Sequence, residues 1–239
     1  MASAAGRSGL PAAEAAAPVR EAATLILARW RASGPQVLMG QRGSTAAFMP
    51  DKFVFPGGAV DADDFVLEGD VPPDAATLGL LAEAAAPGLG RALARAAVRE
   101  LWEETGLMLG RPDPTAAGRE VPAGWAGFHA AGLVPDGAAL RLVFRAVTPP
   151  GRTRRFDARF FLADAASVAG RDDDFALAGE ELANLRWIDL AAARSLPLPF
   201  ITEVVLAELG PLLAEPGRAR PVPFFDQTAA GPALRLLGT

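Results

Sequence analysis

The chain has 239 residues, 51% of them apolar, a formal net charge of −5 and no cysteine. That length suits one large domain with a substantial core and room for insertions. The missing cysteines exclude disulfides and thiolate chemistry. The acidic balance argues against a basic nucleic-acid footprint, and no uncharged apolar run reaches the roughly 18–20 residues that span a bilayer. Neither nucleic acid nor a membrane is therefore expected as a partner.

Residues 1–18 are rich in Ala, Gly and Pro and lack an apolar stretch behind a basic start. They read as a flexible tail rather than a secretory leader, with 19–239 as a single domain and a cytoplasmic location. Ala22–Trp30 and Val37–Arg42 are apolar runs split by Ser33-Gly34-Pro35 and read as two strands. Phe53-Val54-Phe55-Pro56 then leads into Gly57-Gly58. This is a short buried strand entering a turn where adjacent glycines let backbone approach a ligand or metal. Asp74 follows Pro72-Pro73 and can cap a helix over Ala75–Ala86, which Pro87-Gly88 breaks. A second helix is expected to run to about Thr105.

That second helix ends in Arg99-Glu100-Leu101-Trp102-Glu103-Glu104-Thr105-Gly106-Leu107. Glu100, Glu103 and Glu104 stand at i, i+3 and i+4 and share a helix face. Ala97, Val98 and Leu101 can bury the opposite side. Three such carboxylates repel unless positive charge lies between them, and a hard divalent cation with oxygen ligands supplies it. Arg99, four residues before Glu103, can hold that carboxylate in one rotamer. Gly106 suits the left-handed residue after a helix end. The competing reading is a solvated, salt-bridged helix face. The strand and glycine turn upstream favour a metal–phosphate site.

Farther on, Leu140–Val147, Phe156–Ala163 and Leu185–Ile188 read as strands and Ile201–Leu209 as a helix. Residues 221–238 hold two apolar patches about Gly231-Pro232, a hairpin or a docking tail. The pattern is mixed α/β. His129 is the only histidine and reads as structural. Asp172, Asp173 and Asp174 read as a solvated loop.

Arg99 to Leu107 resembles the second half of the Nudix box, Arg-Glu-aliphatic-x-Glu-Glu-x-Gly-aliphatic. The first half, a glycine followed by five residues and a glutamate, starts here at Gly58 and reaches Asp64. About 34 residues then intervene before Arg99, where the box has seven. A split box is similar to a Nudix branch that includes the mammalian peroxisomal acyl-coenzyme A diphosphatases. Four ordered blocks carry that likeness. They are Phe48-Met49-Pro50 through Gly58; Thr148-Pro149 with Arg155-Phe156-Asp157-Ala158-Arg159-Phe160-Phe161; Glu180, Glu181, Arg186 and Trp187; and Leu196-Pro197-Leu198-Pro199-Phe200. The C-terminal Leu-Leu-Gly-Thr is not a peroxisomal address.

The resemblance implies a Nudix-type α/β/α sandwich with a mixed sheet and a helical insertion, about 64–93, inside the box. The insertion would be an extra helical layer or a lid that shapes substrate choice. The implied activity is metal-dependent cleavage of a diphosphate in a nucleoside diphosphate derivative, with coenzyme A or an acyl-CoA first. The alternatives are an ADP-ribose or nucleotide-sugar pyrophosphatase, or a catalytically silent nucleotide-sensing domain. The cofactor is Mg2+ or Mn2+ and the partner a small-molecule diphosphate; a homodimer stays open.

Glu103, Glu104, Glu100 and the Gly57 carbonyl are the candidate metal ligands, and Glu100 also a candidate base. Arg99 would orient a glutamate without touching substrate. Glu180 and Glu181 are candidates for a further base or ligand, against two solvated loop acids. Arg155 and Arg159 alternate with Phe156 and Phe160. The aromatics can pack in the core while the arginines face phosphate, against ion-paired surface arginines. Arg42 is a further phosphate candidate.

Overall fold

The structure, a computed structural model, describes residues 17–44, 49–83, 85–215, 218–228 and 231–239. Residues 1–16 of the segment read as a tail lie outside these, as do Phe48 of the first sequence block and Ala84 of the expected helix. Val19–Arg31 (β1) and Gly34–Arg42 (β2) form an antiparallel pair. Gly34 turns the chain between them at φ 115°, a conformation open to glycine. Phe53–Val54 (β3) adds to β2, and Gly57–Ala59 (β4) adds to β1.

Three helices follow: Ala62–Val66 (α1), Ala75–Ala82 (α2) and Leu89–Thr105 (α3). Gly110–Pro112 (β5) and Leu133–Pro135 (β6) pair as a small separate sheet, with Ala126–Ala130 (α4) between them. Arg141–Val147 (β7), Arg155–Asp164 (β8) and Leu182–Asp189 (β9) rejoin the main sheet. Leu190–Ala193 (α5) and Phe200–Ala214 (α6) precede the strands Val222–Thr228 (β10) and Gly231–Leu237 (β11).

Among the described residues, nine strands make one mixed sheet in the order β11-β10-β7-β8-β1-β2-β3. β4 also pairs with β1, and β9 with β2. β1 runs parallel to β8 and β10 parallel to β7. Because side chains alternate across a strand, β1 serves two cores. Ala23, Leu25 and Leu27 meet Leu93, Ala97 and Leu101 of α3 on one face. Ile26 and Ala28 meet Val205, Leu206 and Leu209 of α6 on the other. The sheet is thus covered by helices on both sides, as the expected α/β/α sandwich requires.

Local signals placed most elements well. Asp74 caps α2 by accepting from the Thr77 N–H at 2.7 Å. The helix nevertheless stops at Ala82, short of the expected Ala86, because Glu83 turns extended at ψ 118°. α3 ends on Gly106 at φ 76°. α6 runs past the expected Leu209 to Ala214 and carries Pro211 inside it. The apolar patches about Gly231-Pro232 form a hairpin. β5, α4 and β6 were not anticipated; they are short and lie in Pro- and Gly-rich sequence with no clear period.

The segment expected as an insertion carries α1, α2 and the start of α3. Leu67 and Leu81, 1% and 2% exposed, join Leu89 and Leu93 in the core beside α3. Truncating a buried leucine leaves a cavity. Leu81→Ala should therefore cost about 2–5 kcal/mol in urea unfolding, and the half-buried Leu78→Ala clearly less. A loss below about 1 kcal/mol at Leu81 would remove this segment from the core.

Candidate active site

Arg99 is the centre of the site. It is only 3% exposed, and its whole guanidinium is used. Nε and Nη2 each donate to Asp64 at 3.0 Å, a two-point grip on one carboxylate. Nη2 also donates to the Ala59 carbonyl at 3.0 Å. Nη1 donates to Glu100 and to Glu103, both at 2.9 Å. Asp64 is fully buried and accepts from the Asp61 N–H at the start of α1. One cation thus ties α1, β4 and the glutamate face of α3 together. Burial acts to lower its pKa, but Asp64, Glu100 and Glu103 outweigh that and hold it above its ordinary value.

Gly57 and Gly58 press against the other side of this helix face. The Gly57 N–H donates to Glu104 at 2.9 Å. A Cβ on Gly58 would lie 2.4 Å from a Glu100 carboxylate oxygen, and one on Gly57 would strike β1 backbone. Close approach to backbone therefore requires glycine at 57, while a side chain at 58 would displace the Glu100 carboxylate. Burial pushes Glu100 up to about 7, with Glu103 and Glu181 adding repulsion against the pull of Arg99. Burial, then the charge of Glu100, likewise raises Glu104 well above the usual carboxylate range.

The three glutamates do not converge on one point. Glu100 and Glu103 turn to Arg99, and Glu104 turns to Gly57. Among the described residues no three acidic, histidine or cysteine side chains are disposed as a metal cage. The donor chemistry nonetheless suits a hard cation. Only carboxylate and backbone oxygens are offered, and two of the carboxylates are buried with less positive charge than their own ionisation needs.

A cleft of about 830 Å3 opens from this corner onto the α6 face of the sheet. Its floor includes a row of small residues in register across adjacent strands. Ala59 of β4 faces Ala22 of β1, which faces Ala158 of β8, which faces Ala146 of β7; Phe225 of β10 continues the row. Gly57, Gly58, Asp61, Glu100, Arg42 and Glu181 stand around the cleft with these. Phe200 and Phe225 lie with ring centres 6.5 Å apart at the far end. Arg20, Arg152 and Arg154 line it as well.

Arg42 and Glu181 are brought together at the cleft, with Nη2 3.0 Å from the carboxylate. Glu180 is exposed and is not among the lining residues. The expectation for Arg155 and Arg159 is not met. Arg159 is 1% exposed and binds Glu21 and both the side chain and carbonyl of Asp157. Arg155 donates to the Thr148 carbonyl. Phe156, Ala158 and Phe160 face the cleft instead. The parity of β8 decides this, since Phe161 and Ala163 belong to the core on the α3 side.

A lid formed by 64–93 is not found either: no described residue of that span lines the cleft. His129 is buried, with Nδ1 3.2 Å from the Trp125 carbonyl, away from the lining residues. Asp172 pairs with Arg29 and Arg31, and Asp173 with Arg171. Sequence reasoning missed the partnership of Asp64 with Arg99, and it missed Asp61, Arg20, Arg152 and Arg154. Only the Gly58–Asp64 spacing pointed to the first of these.

No family model matches the chain. A crystal structure of a NUDIX hydrolase from Alicyclobacillus acidocaldarius aligns with it at a TM-score of 0.62 and 30% sequence identity, over 82% of this chain and 92% of that one. The chain belongs to the Nudix hydrolases. A Caenorhabditis elegans protein named nudix hydrolase 7 is 29% identical over 181 residues, 71% of this chain. The chain spans about half, 51%, of the length of that relative. The family generally works with divalent metal ions. Among the described residues of this Nudix hydrolase, no helix is long and apolar enough to cross a membrane.

Its box differs in having aspartate where the first half of the pattern has glutamate, yet Asp64 makes the two-point grip on Arg99. Removing one partner of a buried ion pair leaves the other charge uncompensated. Asp64→Asn should therefore lower the unfolding free energy by about 3–5 kcal/mol. Asp61→Asn, at an exposed carboxylate 3.8 Å from Arg99, should cost less than about 1 kcal/mol. Equal effects in urea titrations would contradict the assignment of Asp64 as the principal counterion.

Proposed function

We propose that this Nudix hydrolase cleaves the diphosphate linkage of coenzyme A or an acyl-CoA. The products would be a 4′-phosphopantetheine and adenosine 3′,5′-bisphosphate. The observation that carries the reading is the alanine-floored cleft. From β4 to β10 it crosses four strand spacings, about 19 Å, starting beside Glu100 and ending at Phe200 and Phe225. That is longer than a diphosphate needs. Its small floor and apolar far end suit a long, thin, largely uncharged arm on one side of the diphosphate. The ordered sequence blocks shared with the acyl-CoA diphosphatase branch support the same substrate.

Glu103, Glu104 and Glu100, with the Gly57 carbonyl, are the residues that would hold Mg2+ or Mn2+, which would neutralise the diphosphate and make the attacking water more acidic. Glu103 exchanges its Arg99 contact for that role most readily, since its side chain is 42% exposed. Arg99 keeps Glu100 in place and does not touch substrate. Glu181 takes a proton from the attacking water as its oxygen bonds to phosphorus and the bridging P–O bond breaks. Arg42 holds the Glu181 carboxylate and adds positive charge beside the diphosphate.

The two adjacent loop glutamates give the test. Glu181→Gln should lower kcat by about 10²–10⁴-fold, the usual range for a general base, while Glu180→Gln leaves it nearly unchanged. A large loss at Glu180 with none at Glu181 would overturn the assignment. For the substrate, kcat/KM on CoA should exceed that on ADP-ribose. A tenfold preference for ADP-ribose, about 1.4 kcal/mol in transition-state binding, would reject coenzyme A and leave the diphosphatase reading in place.

A further inference from the structure

Most arginines of the described chain are engaged. Arg29, Arg31, Arg42, Arg91, Arg95, Arg99, Arg111, Arg119, Arg145, Arg159, Arg171, Arg218, Arg220 and Arg235 all take part in ion pairs. Among the described residues, the side chains of Arg20, Arg152, Arg154, Arg186 and Arg194 make no hydrogen bond or ion pair, and Arg186 lies over the Phe53 ring. Three of these five line the same cleft, and Arg186 and Arg194 do not. Three uncompensated cations on one cleft repel one another. In a chain of net charge −5 such a cluster is a local exception that an anion would relieve.

Their placement is specific. Arg20 lies two residues before Ala22 on β1, so both side chains point to the cleft. Its partner in the register across to β8 is Phe156, which also lines the cleft. Thr148 closes the row: its hydroxyl accepts from the Phe156 N–H, and its own N–H donates to the Phe156 carbonyl. Arg152 and Arg154 stand on the turn between β7 and β8, four and two residues before that phenylalanine. The row Arg20–Phe156–Thr148 thus runs beside the alanine row, one side-chain step along the strands. It offers an apolar ring flanked by guanidinium forks, which bind phosphate in two-point fashion and have no acceptor of their own.

We propose that Arg20, Arg152 and Arg154 form a subsite for a phosphomonoester, distinct from the carboxylate corner that receives the diphosphate. The preferred substrates are then nucleoside diphosphate derivatives whose nucleoside carries a further phosphate, with Phe156 beneath the nucleoside. This deepens the diphosphatase reading and rests on it. It also explains why Arg155 and Arg159, on the opposite face of β8, are not needed for phosphate recognition.

The test compares CoA with dephospho-CoA, which differ by that one phosphate. The wild-type enzyme is assayed with Mg2+ beside Arg152→Ala/Arg154→Ala, Arg20→Ala and Arg194→Ala, the last controlling for net charge outside the cleft. Thermal melts confirm that each variant is folded. The wild type should favour CoA at least tenfold in kcat/KM. The double variant should lose at least tenfold on CoA and less than threefold on dephospho-CoA, Arg20→Ala should shift the same way, and Arg194→Ala should not. Equal losses on both substrates would assign the arginines to the diphosphate and overturn the subsite; no loss on either would also overturn it.

Calorimetric titration separates this from the substrate reading. Adenosine 3′,5′-bisphosphate should bind the wild type at least tenfold more tightly than adenosine 5′-monophosphate, and the double variant should bind the two alike. If the wild type cleaves neither coenzyme, the coenzyme assignment falls and the titration decides the subsite alone. Equal binding of the two nucleotides by the wild type would overturn it.

Discussion

The site depends on one buried cation. Arg99 is held by Asp64 from α1 and by the Ala59 carbonyl from β4, and in turn holds Glu100 and Glu103 on α3. Removing a guanidinium from water is expensive, and only a full set of acceptors makes it tolerable. Here the acceptors come from three elements that converge on one point. The same interaction therefore fixes the entry of the inserted segment, the glycine loop and the rotamers of two box glutamates.

The electrostatics around Arg99 are unequal by design of the chain. Asp64 is satisfied by Arg99 and a backbone N–H. Glu104 has a backbone N–H from Gly57 but is buried near Glu100, and both carboxylates are pushed toward their neutral forms. One face of Arg99 is thus neutralised, while the face toward Gly57 and the cleft keeps an excess of carboxylate. In the proposed function, that asymmetry is the reason a divalent cation and a diphosphate would meet at this corner rather than on the α1 side. The cleft then extends along the alanine row, whose small side chains leave its floor unfilled.

What the sequence revealed was what local chemistry determines. The i, i+3, i+4 glutamates, the Asp74 cap, the Gly106 helix end and the glycine pair were all legible, because each acts within a turn or two of chain. The Asp64–Arg99 pair was hinted at by spacing alone, since about 34 residues separate them and only the fold brings them together. β8 misled for a definite reason. Arginine and phenylalanine alternate along it, both faces are partly buried, and period-two patterning does not say which face meets the α3 helix. The floor of the cleft was invisible, because Ala59, Ala22, Ala158 and Ala146 come from four strands and matter only as a row.

The central claim is that the glutamates between Arg99 and Gly57 await a divalent cation and are not a solvated helix face. The direct measurement is Mn2+ binding to the full chain, followed by electron paramagnetic resonance, for the wild type and Glu104→Gln. The account predicts saturable binding by the wild type, weakened at least about tenfold in the variant, in line with the losses seen when a metal site is disturbed. Saturable Mn2+ binding of the same affinity in both proteins would contradict it.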